Sequence, residues 1–332
     1  MSQSAASENA ASETAGRDSA TKPRIGIIGT GAIGGFYGVM LARAGFDVHF
    51  LLRSEFDAVA RNGLRVDSHV HGPLALENVQ AYASAADMPP CDWLLIGAKT
   101  TGNSGLTSAI VQAAAPDAKI LLLQNGLGVE EELRAELPDS LHLLGGLCFV
   151  CVHRTAPGQI THQAFGAVNI GYHSGPADMA RRAEWVEDGA SLFHQAGIDS
   201  VAMDNLDKAR WQKLVWNVPY NGLSVLLNAS TTPLMADADS RALIQGLMEE
   251  VVQGAEACGH VLPEGYAEQL LKVTGHMPDY RPSMYHDFTE KRPLELDAIY
   301  ARPLAAALAA GCDMPKVRAL YHALAFIDRG NR

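Results

Sequence analysis

An α/β domain followed by an all-α domain is the fold class this sequence predicts, and three observations carry it. Strand-length apolar runs alternate with helical stretches up to about residue 204. A glycine-rich turn joins the first of those strands to the first helix. Beyond residue 204 every periodic segment reads as a helix. Alternation of this kind builds βαβ units on a mostly parallel sheet. The length agrees, since 332 residues at roughly 150 per domain make about two domains. The expected division is a tail over 1–22, an α/β domain over 23–204 and a helical domain over 205–332.

The elements follow in order. Arg24–Ile28 is a short apolar run of strand length, and the glycine cluster Gly29, Gly31, Gly34 and Gly35 comes next. The stretch 32–44 reads as a helix closed by Gly45, a residue suited to the position just past a helix end. Strands are expected over 47–52, in short pieces over 64–83 around a Gly72-Pro73 turn, and over 93–98. A helix over 105–114 leads to a strand over 119–123 and a helix over 129–137. Further strands are expected over 141–151, 158–163 and 167–172, then a helix over 177–196 ending at Gly197. The helical part reads as 206–226, 240–258, 263–274, 284–291, 294–310 and 315–328. No repeat of 20–50 residues is present.

Composition narrows the partners. Apolar residues make up 48% and charged residues 19% of the chain, an ordinary globular balance. The formal net charge is −11, from 37 acidic and 26 basic residues, which disfavours nucleic acid and anionic membrane surfaces. It does not exclude an anionic small molecule, which meets only its local pocket. No apolar run approaches the roughly 18 residues of a spanning helix. Residues 1–20 have neither the basic nor the apolar region of a secretory signal, and 1–22 are expected to be a disordered tail. Five scattered cysteines suit reduced thiols, so a cytoplasmic location is expected. Cys148 and Cys151 form a C-x-x-C inside a β-prone run, where i and i+3 point to opposite faces, so they read as buried strand thiols. The twelve histidines show no metal-ligand spacing, and no metal is expected.

Gly29-Thr30-Gly31-Ala32-Ile33-Gly34 fits G-x-G-x-x-G. It lies between a strand and a helix of the first βαβ unit, the context that makes the pattern informative. Gly29 permits the tight turn, Gly31 lets the backbone approach a pyrophosphate, and Gly34 lets helix and strand pack closely. The helix N-terminus offers free N–H groups to the phosphates. This is the dinucleotide-binding fingerprint of a Rossmann domain. An acidic residue at the tip of the second strand would bind the ribose 2′-hydroxyl of NAD, and an arginine the 2′-phosphate of NADP. Arg53 stands at that tip and Glu55 lies just past it, which favours NADP (NADPH).

Ligands of open α/β sheets bind outside the carboxyl ends of the strands. Lys99 directly follows the strand 93–98, and Gln124-Asn125-Gly126 directly follows the strand 119–123. Both would face the nicotinamide end of the cofactor, although Asn-Gly is also a plain turn dipeptide. In the first helix of the second domain Lys213, Asn217 and Asn221 recur at i, i+4 and i+8, one face of an otherwise apolar helix. A buried lysine and two buried amides need partners, and a ligand would supply them. Pro219 interrupts the stripe and should kink the helix. Ser283 precedes a helix and Glu295 opens one, so each suits a ligand contact or simple helix-end chemistry.

These residues together resemble the ketopantoate reductase (2-dehydropantoate 2-reductase) family, from about residue 24 to 328. The resemblance rests on the glycine loop, Arg53, Lys99, Gln124-Asn125-Gly126, the Lys213/Asn217/Asn221 stripe, Ser283, Glu295 twelve residues later, and the turn Gly311-Cys-Asp-Met-Pro315. It implies a C-terminal domain like that of 6-phosphogluconate dehydrogenase and NADPH-dependent reduction of ketopantoate to pantoate, towards pantothenate and coenzyme A. It also implies Lys213 as the general acid, with Glu295 holding the substrate hydroxyl and helping to position Lys213. Asn217, Asn221 and Ser283 would bind substrate, and Lys99 and Asn125 would line the nicotinamide–substrate region. The partners it implies are a small 2-oxoacid and, as an assembly, a homodimer. The chain departs from the family at Tyr280, where asparagine is usual, and at Ala301 preceded by Tyr300, where glycine is usual. Both changes are expected to add bulk near the cleft, which keeps another 2-oxoacid open as substrate. A 3-hydroxyacid or 6-phosphogluconate-type dehydrogenase would share the domain plan, but the serine–glutamate spacing argues against it. A non-catalytic NADP sensor would need neither Lys213 nor Glu295.

Overall fold

The computed structural model describes residues 22–331, so the expected tail lies outside the described residues apart from Lys22. Strand β1 (Arg24–Ile28) is a buried interior strand of the sheet. It pairs in parallel with β2 (Asp47–Leu51) on one side and β6 (Cys91–Ile96) on the other. Helix α1 (Ala32–Arg43) crosses between β1 and β2, and α2 (Phe56–Asn62), which the sequence pattern did not announce, follows β2. Strands β3 (Leu64–Ser68), β4 (Gly72–Leu76) and β5 (Gln80–Tyr82) come from the 64–83 segment. Helix α3 (Leu106–Ala113) leads into β7 (Ala114–Leu122), and α4 (Val129–Arg134) into β8 (His142–Ala156). Strand β9 (Gln159–Ser174), helix α5 (Met179–Gln195) and the two-residue β10 (Ala202–Met203) complete a sheet ordered β4-β3-β9-β8-β7-β6-β1-β2-β5, with β10 on β9.

The three strands expected between 141 and 172 are in fact two long ones, β8 and β9, paired antiparallel around the Pro157-Gly158 turn. The register shifts at Phe149/Val150 and Cys151/Val152, and Phe165 adopts φ +63°. Bulges of this kind bend a ladder and break the alternation that a sequence reading depends on. Cys148 and Cys151 are both free and buried on β8.

The second half is helical: α6 (Leu206–Leu226), α7 (Thr231–Ala236), α8 (Ala238–Ala257), α9 (Tyr266–His276), α10 (Ser283–Thr289), a π-helical turn (Asp297–Ala301) running into α11 (Arg302–Ala309), and α12 (Pro315–Asn331). Helix α6 starts where the Asn205 side chain accepts the Lys208 N–H at 2.9 Å, an N-cap. It packs against α8, α10 and α12 and also touches β8 and β9, where Leu206 and Ala209 form a small apolar cluster with Leu147. Its apolar face joins the helical core around Trp211, Val218 and Tyr220. The sheet carries separate apolar clusters on its two faces, one beneath α1 and α5 and one beneath α3 and α4. No helix among the described residues is long and apolar enough to cross a membrane.

The expected helix 294–310 is corrected. Leu294 and Glu295 are not helical, and the helix begins at Leu296, directly before the π turn. Glu295 therefore stands before the helix, not in its first turn.

Candidate active site

The carboxyl ends of β1, β2, β6 and β7, the inner side of β8 and helices α6, α9 and α10 enclose one cleft of about 910 Å³. That volume suits a small-molecule or cofactor site. Gly29, Thr30, Gly31, Ala32, Ile33, Arg53, Lys99, Asn125, Lys213, Asn217, Asn221, Ser283 and Glu295 all line it, whereas Gly34 lies behind the loop and Gly126 is not part of its wall.

The glycine turn has the geometry its roles require. Gly29 has φ +89°, and a side chain there would meet the Ala98 backbone nitrogen at 2.3 Å. A Cβ on Gly34 would lie 2.4 Å from the Gly29 carbonyl oxygen, so α1 sits on the strand end only because that atom is missing. A Cβ on Gly31 would meet nothing within 4 Å. The space beside Gly31 is part of the cleft, with Thr30, Ala32 and Ile33 around it, and it fits a pyrophosphate at the start of α1. Thr30 fixes the turn by donating its hydroxyl to the Leu51 carbonyl at 3.1 Å. Beyond β2, Arg53 is exposed on the rim of the cleft. Glu55 is buried and engaged elsewhere, by Arg154 of β8 and by the Gly158 N–H at 3.1 Å.

Elsewhere in the cleft, side chains far apart in sequence come together. Lys99, following β6, donates to Asp287 of α10 at 2.8 Å and to Glu295 at 3.0 Å. The other oxygen of Glu295 accepts the Thr100 N–H at 3.1 Å and its hydroxyl at 3.0 Å. Asp287 is held from behind by Arg292 at 3.0 Å. Both carboxylates are almost fully buried. Burial works to lower the Lys99 pKa, but Glu295 and Asp287 outweigh it and hold the ammonium above its ordinary value.

Lys213 lies across the cleft on α6. Its ammonium donates to the Cys148 carbonyl and sits 5.2 Å from the centre of the Phe149 ring. Burial pushes its pKa down to about 8, against an opposite pull from Cys148 and with added repulsion from Arg210. The Asn217 Nδ2 is buried without a hydrogen-bond partner among the described residues. Asn221 accepts the Met284 N–H at 3.4 Å, which ties α6 to α10. Ser283 is the first residue of α10, and its hydroxyl caps nothing, because Pro282 holds the cap position. Asn125 lines the cleft beside Gln124, whose Oε1 is buried and unpartnered. A donor and an acceptor left unmatched in one cleft mark where a polar ligand would complete the bonding.

Residues 25–175 match the family model described as ketopantoate reductase PanE/ApbA, and residues 205–328 match its C-terminal counterpart. This chain belongs to the ketopantoate reductase family. It is 43% identical over 307 residues, 92% of this chain and 95% of the relative, to a 2-dehydropantoate 2-reductase of Nostoc sp. strain PCC 7120. Among solved structures it resembles a 2-dehydropantoate 2-reductase of Geobacter metallireducens GS-15, with TM-score 0.84, 41% identity and coverage of 91% of this chain and 98% of that one. A second, from Methylococcus capsulatus, has TM-score 0.80 and 33% identity, covering 93% of this chain and 97% of that one.

Within this ketopantoate reductase fold two expectations are corrected. Glu295 contacts Lys99 and Thr100, and no hydrogen bond joins it to Lys213, so it positions the other lysine of the cleft. Tyr300 does not add bulk to the cleft. It is buried in the helical core, donating to the Val218 carbonyl at 2.8 Å, and neither it nor Ala301 lines the cleft. Tyr280 does line it. Asp287 escaped the sequence reading although it follows Ser283 by four residues on the same helix, the spacing that would have revealed it.

Proposed function

We propose that this chain reduces 2-dehydropantoate to pantoate with NADPH, and that its division at residues 23–204 and 205–332 separates cofactor binding from substrate binding. The observation that carries the reading is the pair of cleft lysines driven apart in proton affinity. Lys99 is fixed as a cation by two carboxylates, whereas Lys213 is brought to about 8, where an ammonium can give up its proton.

Gly29, Thr30, Gly31, Ala32 and Ile33 would hold the pyrophosphate, with Gly34 setting the packing behind them. Arg53 would hold the 2′-phosphate, and Asn125 the nicotinamide end. Bound there, the reduced nicotinamide supplies the hydride. Lys213 protonates the carbonyl oxygen as it becomes an alkoxide, then is reprotonated from solvent. Asn217, Asn221 and Ser283 hold the substrate's carboxylate and hydroxyl. Glu295, anchored by Lys99, accepts from the substrate hydroxyl, and Asp287 keeps Lys99 in place. A second copy of the chain is the proposed protein partner, read by light scattering. Free thiols throughout the described residues support a reducing, cytoplasmic setting.

The test is loss of reduced-cofactor absorbance on mixing protein, NADPH and a panel of 2-oxoacids. Ketopantoate should give the highest kcat/KM. Tyr280 on the cleft wall favours the one rival, a different 2-oxoacid, and a panel member exceeding ketopantoate would establish it.

A further inference from the structure

Glu55 occupies the region past β2 where a carboxylate would select the ribose 2′-hydroxyl and repel a 2′-phosphate. Its placement contradicts that role. It is buried, one oxygen meets the Arg154 guanidinium, and the other accepts the Gly158 N–H at 3.1 Å. The Gly158 carbonyl in turn accepts the Arg65 N–H at 2.9 Å, and Gly158 has φ +71°, so the tip of the β8–β9 hairpin is pinned onto the segment that follows β2. Arg53, Glu55 and Arg154 all line the same end of the cleft wall, and the Arg53 guanidinium has no partner among the described residues.

We propose that Arg154 is the specificity-determining residue for the cofactor's 2′-phosphate, acting through Glu55. The arginine cancels the carboxylate and holds it away from the ribose, which leaves Arg53 as the uncompensated charge facing the cofactor. The proposal rests on the NADPH reading above and assigns its selectivity to a second strand of the sheet, 101 residues after Arg53 in sequence.

Calorimetric binding of NADP+ and NAD+, and of adenosine 2′,5′-bisphosphate and adenosine 5′-monophosphate, to the full chain tests it without turnover. In Arg154→Gln the unpaired carboxylate should weaken NADP+ and the bisphosphate by about tenfold, the effect of one uncompensated charge at close range, while NAD+ and the monophosphate bind as before or tighter. Glu55→Gln should move the ratio the other way, because Arg154 is then free to face the phosphate. The double variant, with both charges removed and an amide still able to accept from Gly158, should return towards the wild-type preference and guards against a folding failure of the single one. Where the wild type prefers NADP+, equal weakening of both cofactors in Arg154→Gln, or a ratio in that variant unchanged from the wild type, overturns this proposal alone. A wild-type preference for NAD+ overturns the NADPH reading and this one with it.

Discussion

Lys213 and Lys99 face one cleft, and their surroundings alone decide which can act as an acid. Lys213 has a neutral carbonyl as its partner and a cation, Arg210, nearby, so burial lowers its pKa to about 8. Lys99 has two buried carboxylates. On the proposed assignment, reduction needs the ammonium of Lys213. The kcat/KM for reduction should therefore be flat below about pH 8 and fall about tenfold per pH unit above it, and a profile rising through that range would refute the assignment. Lys213→Ala should lower kcat by about 10²–10⁴-fold while the Kd for NADPH changes little. Normal turnover in that variant would remove Lys213 as the acid. The stripe Lys213/Asn217/Asn221 was legible because a helix puts i, i+4 and i+8 on one face. The bond from Glu295 to Lys99 was not, since it joins residues 196 apart in sequence and no local pattern encodes such a contact.

At the scale of elements, the strand–turn–helix of β1 and α1 separates two uses of glycine. Gly31→Ala should fold and melt as the wild type does, because its Cβ meets no protein atom within 4 Å, yet it should weaken NADPH by at least about tenfold by filling the pyrophosphate's place. Gly34→Ala puts a carbon 2.4 Å from a backbone oxygen and should cost about 1–3 kcal/mol of stability, read as a lower melting temperature. Equal effects of the two on melting would show that the turn is not built this way. The βαβ rhythm and the helical second half were readable from periodicity, because strand and helix each impress their own spacing on apolar residues. The β8–β9 hairpin was read in pieces because its bulges break that spacing. The segment around Glu295 was read as helix from its local composition, whereas Glu295 itself precedes the helix and is held by Lys99 and Thr100, residues no local pattern links to it.

Across the whole molecule, the net charge of −11 predicts a cleft whose positive charge is local. That charge is narrower than three cationic side chains imply, because Asp287 and Glu295 neutralise Lys99, which leaves Arg53 and Lys213 to face an anionic cofactor and substrate. The same ion pairs join the two halves of the chain, as do Arg210 with Glu130 and Arg302 with Glu132. A backbone contact joins them as well. Gly126 has φ +106°, a Cβ on it would lie 2.5 Å from the Ala298 Cβ and 2.6 Å from its carbonyl oxygen, and the Leu127 N–H donates to that oxygen at 2.9 Å. The Asn125-Gly126 turn is thus wedged against the π turn that carries the chain on from Glu295. Gly126→Ala should strain the backbone and push these surfaces apart, moving Glu295 relative to Lys99. The expected result is a lower melting temperature together with a raised KM for substrate and a reduced kcat, whereas Asn125→Ala, beside it but facing the cleft, should leave melting unchanged. Full activity in Gly126→Ala would mean that the seam between the halves does not set the geometry of the Glu295–Lys99 pair.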